Sequence, residues 1–304
     1  MYDIVIIGAG PAGLTAAIYA LRANKSVLIL EKESFGGQIT YSPKVENYPG
    51  FAEISGSELG EKLVEQALNL GAEIELDTVT GIRNTAAYKI VQGEHGEYQG
   101  LSVIVAAGSR HRQLGLPREN EFIGNGISYC ALCDGAFYKD RKIAVIGGGN
   151  TALQDAVLLS ETCSHVTVIQ NLATCTGESR LVEILKSRKN VDFMFNTVVD
   201  ELEGGDELES LMLCDTESGK TFRFPVEGIF VAIGQQPEND PFKSVCKLND
   251  QGYISAGETT ETGTAGIFAA GDCRTKNIRQ VVTACGDGAS AALAACRYIE
   301  TVKK

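Results

Sequence analysis

The apolar residues of this chain come in short runs cut by glycine. DIVIIGAGPAGLTAAIYAL (residues 3–21) and KIAVIGGGNTALQDAVLLS (142–160) share one pattern: a β-branched run, a glycine turn, then an alanine-rich stretch. Each predicts a buried strand that turns tightly into a helix. After the first unit, EIELDTVTGI and AAYKIVQ alternate apolar with polar positions, and VDFMFNTVV and SLMLCDT do so after the second. Both pairs predict a small antiparallel layer. A strand ending in glycine closes each half, SVIVAAG at Gly108 and GIFVAIG at Gly234. A third strand of that kind, GIFAAGD (266–272), has no counterpart in the second unit, so its simplest place is back in the first.

This order predicts an α/β fold of two Rossmann-like, three-layer ββα dinucleotide-binding domains, the second inserted into the first. Residues 1–111 and 242–304 form the discontinuous domain and 112–241 the insertion. The crossings fall in RHRQLGLP (110–117) and GQQPENDP (234–241), where proline and polar residues read as linkers.

The two turns carry the candidate binding chemistry. Gly8, Gly10 and Gly13 have the spacing G-x-G-x-x-G, and Gly147, Gly149 and Ala152 have G-x-G-x-x-A. In such a turn the first glycine makes the bend and the second lets a pyrophosphate approach the backbone. The third small residue lets helix pack on strand. The anion then meets the free N–H groups and positive dipole end of the helix. Two such folds imply two dinucleotides, commonly a flavin and a nicotinamide. The first unit is the better flavin site, because its second strand, SVLILEK, ends in Glu31 at the distance where a carboxylate holds adenosine ribose hydroxyls. Asp272 is placed to hydrogen-bond a polyol chain. A helix beginning near Arg279 and Gln280 would point its N-terminus at a reduced isoalloxazine. Gly286 and Gly288 weaken that helix unless close packing requires them.

Composition narrows the function. The 304 residues carry a formal net charge of −12, which argues against a nucleic-acid footprint. No apolar run reaches the ~18–20 residues that span a bilayer. Met1 is followed at once by the first strand rather than by a leader, so a cytoplasmic protein without a membrane role is expected. Of nine cysteines only Cys130 and Cys133 are closely spaced, and His95, His111 and His165 stand far apart, so no metal site is expected. The other seven cysteines read as small core residues.

Cys130-Ala131-Leu132-Cys133-Asp134 is a C-x-x-C-D motif. Two thiols at this spacing close and open a disulfide by thiolate attack, and Asp134 supplies an acid for the proton that the exchange moves.

Seven stretches in order, GAGPAG (8–13), GGQIT (36–40), VENYPG (45–50), CALCDG (130–135), GGGNTA (147–152), FAAGDC (268–273) and RQVVTACGDG (279–288), together resemble the low-molecular-weight thioredoxin reductases. The resemblance implies a homodimeric FAD enzyme that reduces thioredoxin or a thioredoxin-like protein. It implies flavin contacts at Gly8, Gly10, Pro11, Ala12, Gly13, Glu31, Lys32, Gly37, Gln38, Asn47, Val79, Gly108, Asp272, Arg279, Gln280 and Val281. It implies nicotinamide dinucleotide contacts at Gly147, Gly149, Asn150, Thr151 and Ala152. In catalysis it implies that Cys133 faces the flavin, Cys130 attacks the substrate disulfide, and Asp134 protonates the leaving thiolate. The inserted domain is expected to rotate about its crossings, presenting nicotinamide and disulfide to the flavin in turn.

One stretch departs from the resemblance. Members that use NADPH clamp its 2′-phosphate with a histidine and arginines after the second glycine turn, whereas here VTVIQNLATCTGESR (166–180) offers Gln170, Asn171, Leu172 and Thr176. NADH is therefore the first expectation for the donor, with Gln170 or Asn171 on the ribose. NADPH bound through Arg180, Lys186, Arg188 or Lys189 comes second, and a non-nicotinamide donor such as ferredoxin third. Two other readings compete: a ferredoxin:NAD(P) oxidoreductase, which has no need of C-x-x-C, and a non-catalytic flavin redox sensor, which would exchange once and stop.

Overall fold

The computed structural model describes residues 1–42 and 45–303. It divides into two compact units, Met1–Arg110 with Gln236–Lys304, and His111–Gln235.

The first unit is built on the strand Tyr2–Ile7, which pairs in parallel with Val27–Glu31 on one side and with the long strand Glu97–Val105 on the other. Glu73–Leu76 adds a parallel edge beyond Val27–Glu31. The long strand serves two layers. Its end pairs in parallel with the first strand and with Ile267–Ala269, while its start pairs antiparallel with Lys89–Gly93, which in turn pairs with Val79–Asn84. Ile4, Ile6, Ile29 and Ile104 pack toward the helices Pro11–Arg22 and Val281–Val302, whereas Val5, Ile7, Leu28, Leu30, Val103 and Val105 pack toward the opposite layer. Both faces are covered, which is why these strands read as continuous apolar runs.

The second unit repeats the plan. Its parallel sheet runs Val191–Met194, His165–Ile169, Lys142–Ile146, Ile229–Val231, Ile127–Ser128, beside an antiparallel sheet of Thr197–Gly204, Leu208–Asp215 and Thr221–Pro225. Ile143, Val145, Val166 and Val168 face the helix Asn150–Leu159, and Ala144, Ile146 and Ile169 face Leu202, Leu211 and Leu213.

Three features differ from the sequence reading. EIEL and VDFM belong to the parallel sheets as edge strands instead of the antiparallel layers. A half-exposed parallel edge alternates just as an antiparallel strand does, so periodicity alone does not separate them. The return crossing lies at Gln235–Gln236, six residues before the expected boundary. Buried Asn239 donates to the carbonyls of Gly252 at 2.9 Å and Cys273 at 2.8 Å, and Phe242 sits in an apolar core. The second half of GQQPENDP is therefore anchored in the first unit. Finally, close packing explains Gly288, where a Cβ would lie 2.1 Å from the Ala12 carbonyl oxygen, but not Gly286, which has nothing within 4 Å.

Candidate active site

The first glycine turn separates positions the fold needs from one it leaves open. Gly8 has φ +106°, and a Cβ there would lie 2.3 Å from Ala106 O; at Gly13 it would lie 1.9 Å from Gly8 O. At Gly10 the nearest atom is Gly37 Cα at 3.9 Å. Gly37 has φ +69°, and its own Cβ would meet Gly10 Cα at 2.8 Å. The backbone thus forms a shallow cradle between Gly10 and Gly37. It stands at the start of a helix that opens with Pro11 and has no side-chain cap, so the first N–H groups are free for an anion.

Glu31 is tied to this turn. Its Oε2 accepts the Ala9 N–H at 2.7 Å, and its Oε1 accepts the N–H groups of Lys32 and Glu33 at 2.9 and 3.0 Å. Lys32 pairs with Glu238. Gln38 donates to the Ser109 carbonyl beside Gly108, which has φ +70° and open space around it. Asn47 donates to Gln280 Oε1 at 3.2 Å, and Gln280 caps the helix that starts at Val281. Gly271 packs against Ala12, where a Cβ would come within 2.8 Å of the alanine methyl, so Asp272 lies next to the first turn. The structure therefore gathers the glycine turn, the Gly37–Gln38 loop and the Asp272 turn. Val79 has its side chain in the second apolar layer and stands opposite Gly93 at the start of its strand.

Three buried polar atoms in this unit lack partners among the described residues: Asn239 Oδ1, on a side chain whose amide is already bonded to two carbonyls, and Asp272 Oδ1 and Arg279 Nε. Burial raises the Asp272 carboxyl above the usual carboxylate range, against the pull of Lys276, Arg279 and Arg274. The Arg279 guanidinium lies 4.3 Å from the Tyr253 ring centroid. Buried polar groups are rarely left unpaired, so Asp272 and Arg279, on either side of the turn that leads to the C-terminal helix, point to a polar ligand.

In the second unit Cys130 and Cys133 form a disulfide with Cα atoms 5.3 Å apart. The bond is held at the start of the short helix Ala131–Asp134, where the N–H of Cys133 reaches Cys130 Sγ at 3.2 Å. Leu132 is 59% exposed between the two sulfurs. Asp134 accepts the Ser128 hydroxyl on Oδ2 at 2.6 Å, while its Oδ1 is buried with no partner among the described residues. Burial raises the Asp134 carboxyl, and the Ser128 hydrogen bond opposes this. Ser128 Oγ also accepts the Cys130 N–H at 3.1 Å. Sequence reading missed Ser128; its one signal is its place two residues before the first cysteine, at the end of a strand.

The second glycine turn repeats the first, with Gly147 at φ +129° against Ala232 O and the Ala152 methyl 3.3 Å from the Cβ position of Gly147. Gly149 is open, with Thr176 Oγ1 nearest at 3.9 Å. The loop that follows the next strand folds onto this turn. Thr176 and Gly177 donate their N–H groups to Gly148 O at 2.8 and 3.0 Å, and Glu178 donates its N–H to Asn150 Oδ1 at 2.7 Å. Two donor-site expectations need correction. Gln170 is 5% exposed, packs on Gly148 and donates to Thr174 O at 3.4 Å, so it serves the turn itself and Asn171 is left as the exposed amide. Arg188 is bound to Val157 O, Ser160 Oγ and Glu161, which removes it as a phosphate clamp.

A family model described as pyridine nucleotide-disulphide oxidoreductase matches residues 2–288. The chain belongs to that family. It is 41% identical to the thioredoxin reductase of Bacillus subtilis (strain 168), over 100% of this chain and 96% of that protein. Among solved structures, thioredoxin reductase from Streptococcus pyogenes MGAS5005 superposes with a TM-score of 0.94 at 37% identity, covering 99% of each chain. Thioredoxin reductase from Giardia duodenalis gives 0.92 at 30%, covering 98% of this chain and 99% of its own. The protein is an FAD-dependent oxidoreductase acting on a disulfide. The open Gly10 cradle and the unpaired Asp272 and Arg279 atoms fit FAD in the first unit. Among the described residues no helix is long and apolar enough to cross a membrane.

Proposed function

We propose that this protein catalyses reduction of the disulfide of thioredoxin, or of a thioredoxin-like protein, through Cys130 and Cys133. The observation that carries the reading is the Cys130–Cys133 disulfide with the bare, buried Oδ1 of Asp134 beside it. The flavin, when bound, passes two electrons from the donor to this disulfide.

Once reduced, Cys130 attacks one sulfur of the partner disulfide, forming a mixed disulfide and breaking the partner's S–S bond. The partner's departing thiolate takes its proton from Asp134, whose raised carboxyl holds one more readily than an exposed aspartate does. Cys133, giving up its own proton, then attacks Cys130 Sγ; the mixed disulfide breaks, the internal disulfide is restored, and the partner's second thiolate takes up that proton so that the partner leaves as a dithiol. Exposed Leu132 offers an apolar contact to the incoming protein. The disulfide and second glycine turn share one unit while the flavin residues belong to the other, so turnover calls for rotation of the units about the two crossings.

The flavin residues proposed are Gly8, Gly10, Pro11, Ala12, Gly13, Glu31, Lys32, Gly37, Gln38, Asn47, Val79, Gly108, Asp272, Arg279, Gln280 and Val281. A nicotinamide dinucleotide would sit at Gly147, Gly149, Asn150, Thr151 and Ala152. With Arg188 committed elsewhere, Arg180, Lys186 and Lys189 are left for a 2′-phosphate, and NADH is kept ahead of NADPH as donor. A homodimer acting in the cytoplasm completes the proposal. Cys130→Ser is the direct test. It should abolish multiple turnover with thioredoxin yet leave a flavin that the donor still reduces, and full activity in that variant would overturn the assignment.

A further inference from the structure

The two residues before Cys130 send their side chains to different anchors, in keeping with the alternation of an extended segment, and Cys130 itself is extended at φ −141° and ψ 96°. Ser128 turns to Asp134. Tyr129 turns to Glu119, a contact that the chemistry above does not use. Its hydroxyl donates to Glu119 Oε1 at 2.8 Å, and its ring centroid lies 5.3 Å from that of His111. Burial raises the Tyr129 phenol and the Glu119 bond adds to this, so the hydroxyl keeps its proton and remains a donor.

Glu119 is 2% exposed on the short helix Glu119–Phe122. Its Oε1 also accepts the Leu114 N–H at 2.8 Å, and its Oε2 accepts the N–H groups of Gly115 at 2.8 Å and Leu116 at 3.4 Å. The loop gathered in this way is the first crossing, and His111 is the first residue of the second unit. Tyr129 is therefore a strut between that crossing and the residue next to Cys130. The hydroxyl is one of four donors that hold a buried carboxylate in place, so its loss leaves part of that charge unsatisfied.

The strut matters most when the disulfide is open. In the oxidised protein the S–S bond to Cys133 tethers Cys130. Reduction removes that tether. What then holds Cys130 is the backbone turn, in which the N–H groups of Cys133 and Asp134 reach Cys130 O at 3.1 and 3.0 Å, and the two flanking side chains.

We propose that Tyr129 is a positioning residue for Cys130: anchored on Glu119, it keeps the reduced thiol aimed for attack on the partner disulfide. The inference rests on Cys130 as the attacking thiol. A displacement of about 1 Å costs a reacting group roughly 10²-fold, so a strut one residue away is close enough to govern the rate.

Tyr129→Phe keeps the ring and removes the hydroxyl, and Tyr129→Leu removes both. Tyr98→Phe is the control, because Tyr98 also donates to a buried carboxylate, Asp77 at 2.9 Å, in the other unit. Two rates are measured on FAD-loaded, dithionite-reduced protein: single-turnover oxidation by thioredoxin disulfide, and alkylation of Cys130 by iodoacetamide, mapped by mass. Tyr129→Phe should slow the thioredoxin step at least tenfold and Tyr129→Leu further, while alkylation, which a small reagent achieves from any direction, stays within about twofold of wild type. Tyr98→Phe should match wild type in both. An unchanged thioredoxin rate in Tyr129→Phe overturns the proposal. So does alkylation that falls in parallel, since the hydroxyl would then set the reactivity of the thiol rather than its aim, and so does an equal slowing in Tyr98→Phe. Should both Tyr129 variants fail to fold, His111→Ala, which removes only the ring contact, decides by the same two rates. A reduced wild type that does not react with thioredoxin overturns the thioredoxin reading together with this inference, whereas a reactive wild type beside an equally fast Tyr129→Phe overturns the inference only.

Discussion

Ser128 donates its hydroxyl to Asp134 at 2.6 Å and accepts the N–H of Cys130 at 3.1 Å, so one side chain holds both the acid and the first cysteine. Burial raises the Asp134 carboxyl and the Ser128 bond lowers it. Proton delivery needs the protonated acid, so activity should fall on the alkaline side of the profile. Ser128→Ala removes the lowering contribution and should move that limb to higher pH, which a pH series of thioredoxin turnover reads directly. Movement to lower pH would contradict the assignment.

Asp134→Asn separates chemistry from stability. Turnover should drop by roughly 10²–10⁴-fold, the usual contribution of a positioned general acid. The folded carboxyl lies above its unfolded value, so the folded state binds more protons in that window and stability falls as pH rises through it. The asparagine variant lacks that loss. Its unfolding midpoint should decline less from acid to neutral pH than that of the wild type, the remaining decline coming from other raised carboxyls such as Asp272, as thermal melts at several pH values would show.

The two helical glycines of the C-terminal segment should respond in opposite directions. Gly288→Ala drives a methyl to within 2.1 Å of the Ala12 carbonyl and should cost about 1–3 kcal/mol and some flavin, because the helix is pushed off the first turn. Gly286 is exposed with nothing within 4 Å, and Gly286→Ala should stabilise by roughly 0.5–1 kcal/mol. Denaturant titration of both variants tests the pair.

Gly10→Ala should leave the fold intact, because the nearest atom is 3.9 Å from its Cβ position and the backbone φ of −79° suits alanine. The methyl would instead occupy the cradle, and FAD affinity should fall at least tenfold. That is the opposite of Gly8→Ala, which meets Ala106 O at 2.3 Å in a left-handed conformation and should fail to fold. Flavin content of the purified variants distinguishes the two.

These contrasts show what was legible in the chain. The duplicated strand, turn and helix were readable because glycine spacing and β-branched runs are local signals, and the C-x-x-C-D motif was contiguous. Ser128, Gln170 and Arg188 were not. Their roles depend on which groups the fold brings to them, the Asp134 carboxyl, the face of Gly148 and the end of the helix Asn150–Leu159. Gly286 and Gly288 look alike in sequence because helix rotation alone decides which of them meets Ala12. The second crossing was placed late because its proline and polar residues resemble a linker, while Asn239 spends its amide on two carbonyls distant in sequence.

The electron donor is where local charge should decide. Around the second turn, Gln170 is buried against Gly148, Thr176 and Gly177 bond to Gly148 O, and Arg188 is held by Ser160, Val157 and Glu161. Apart from exposed Arg180, a 2′-phosphate would therefore find no uncommitted guanidinium on this loop, and stopped-flow reduction of the flavin should be faster with NADH than with NADPH. Asn171→Arg places a guanidinium on an exposed position at the end of the strand and should raise the NADPH rate at least tenfold without destabilising the protein. Gln170→Arg, by contrast, forces a charge into a site 5% exposed and should lower stability before it improves anything. Equal rates with both nucleotides in the wild type would overturn the preference for NADH.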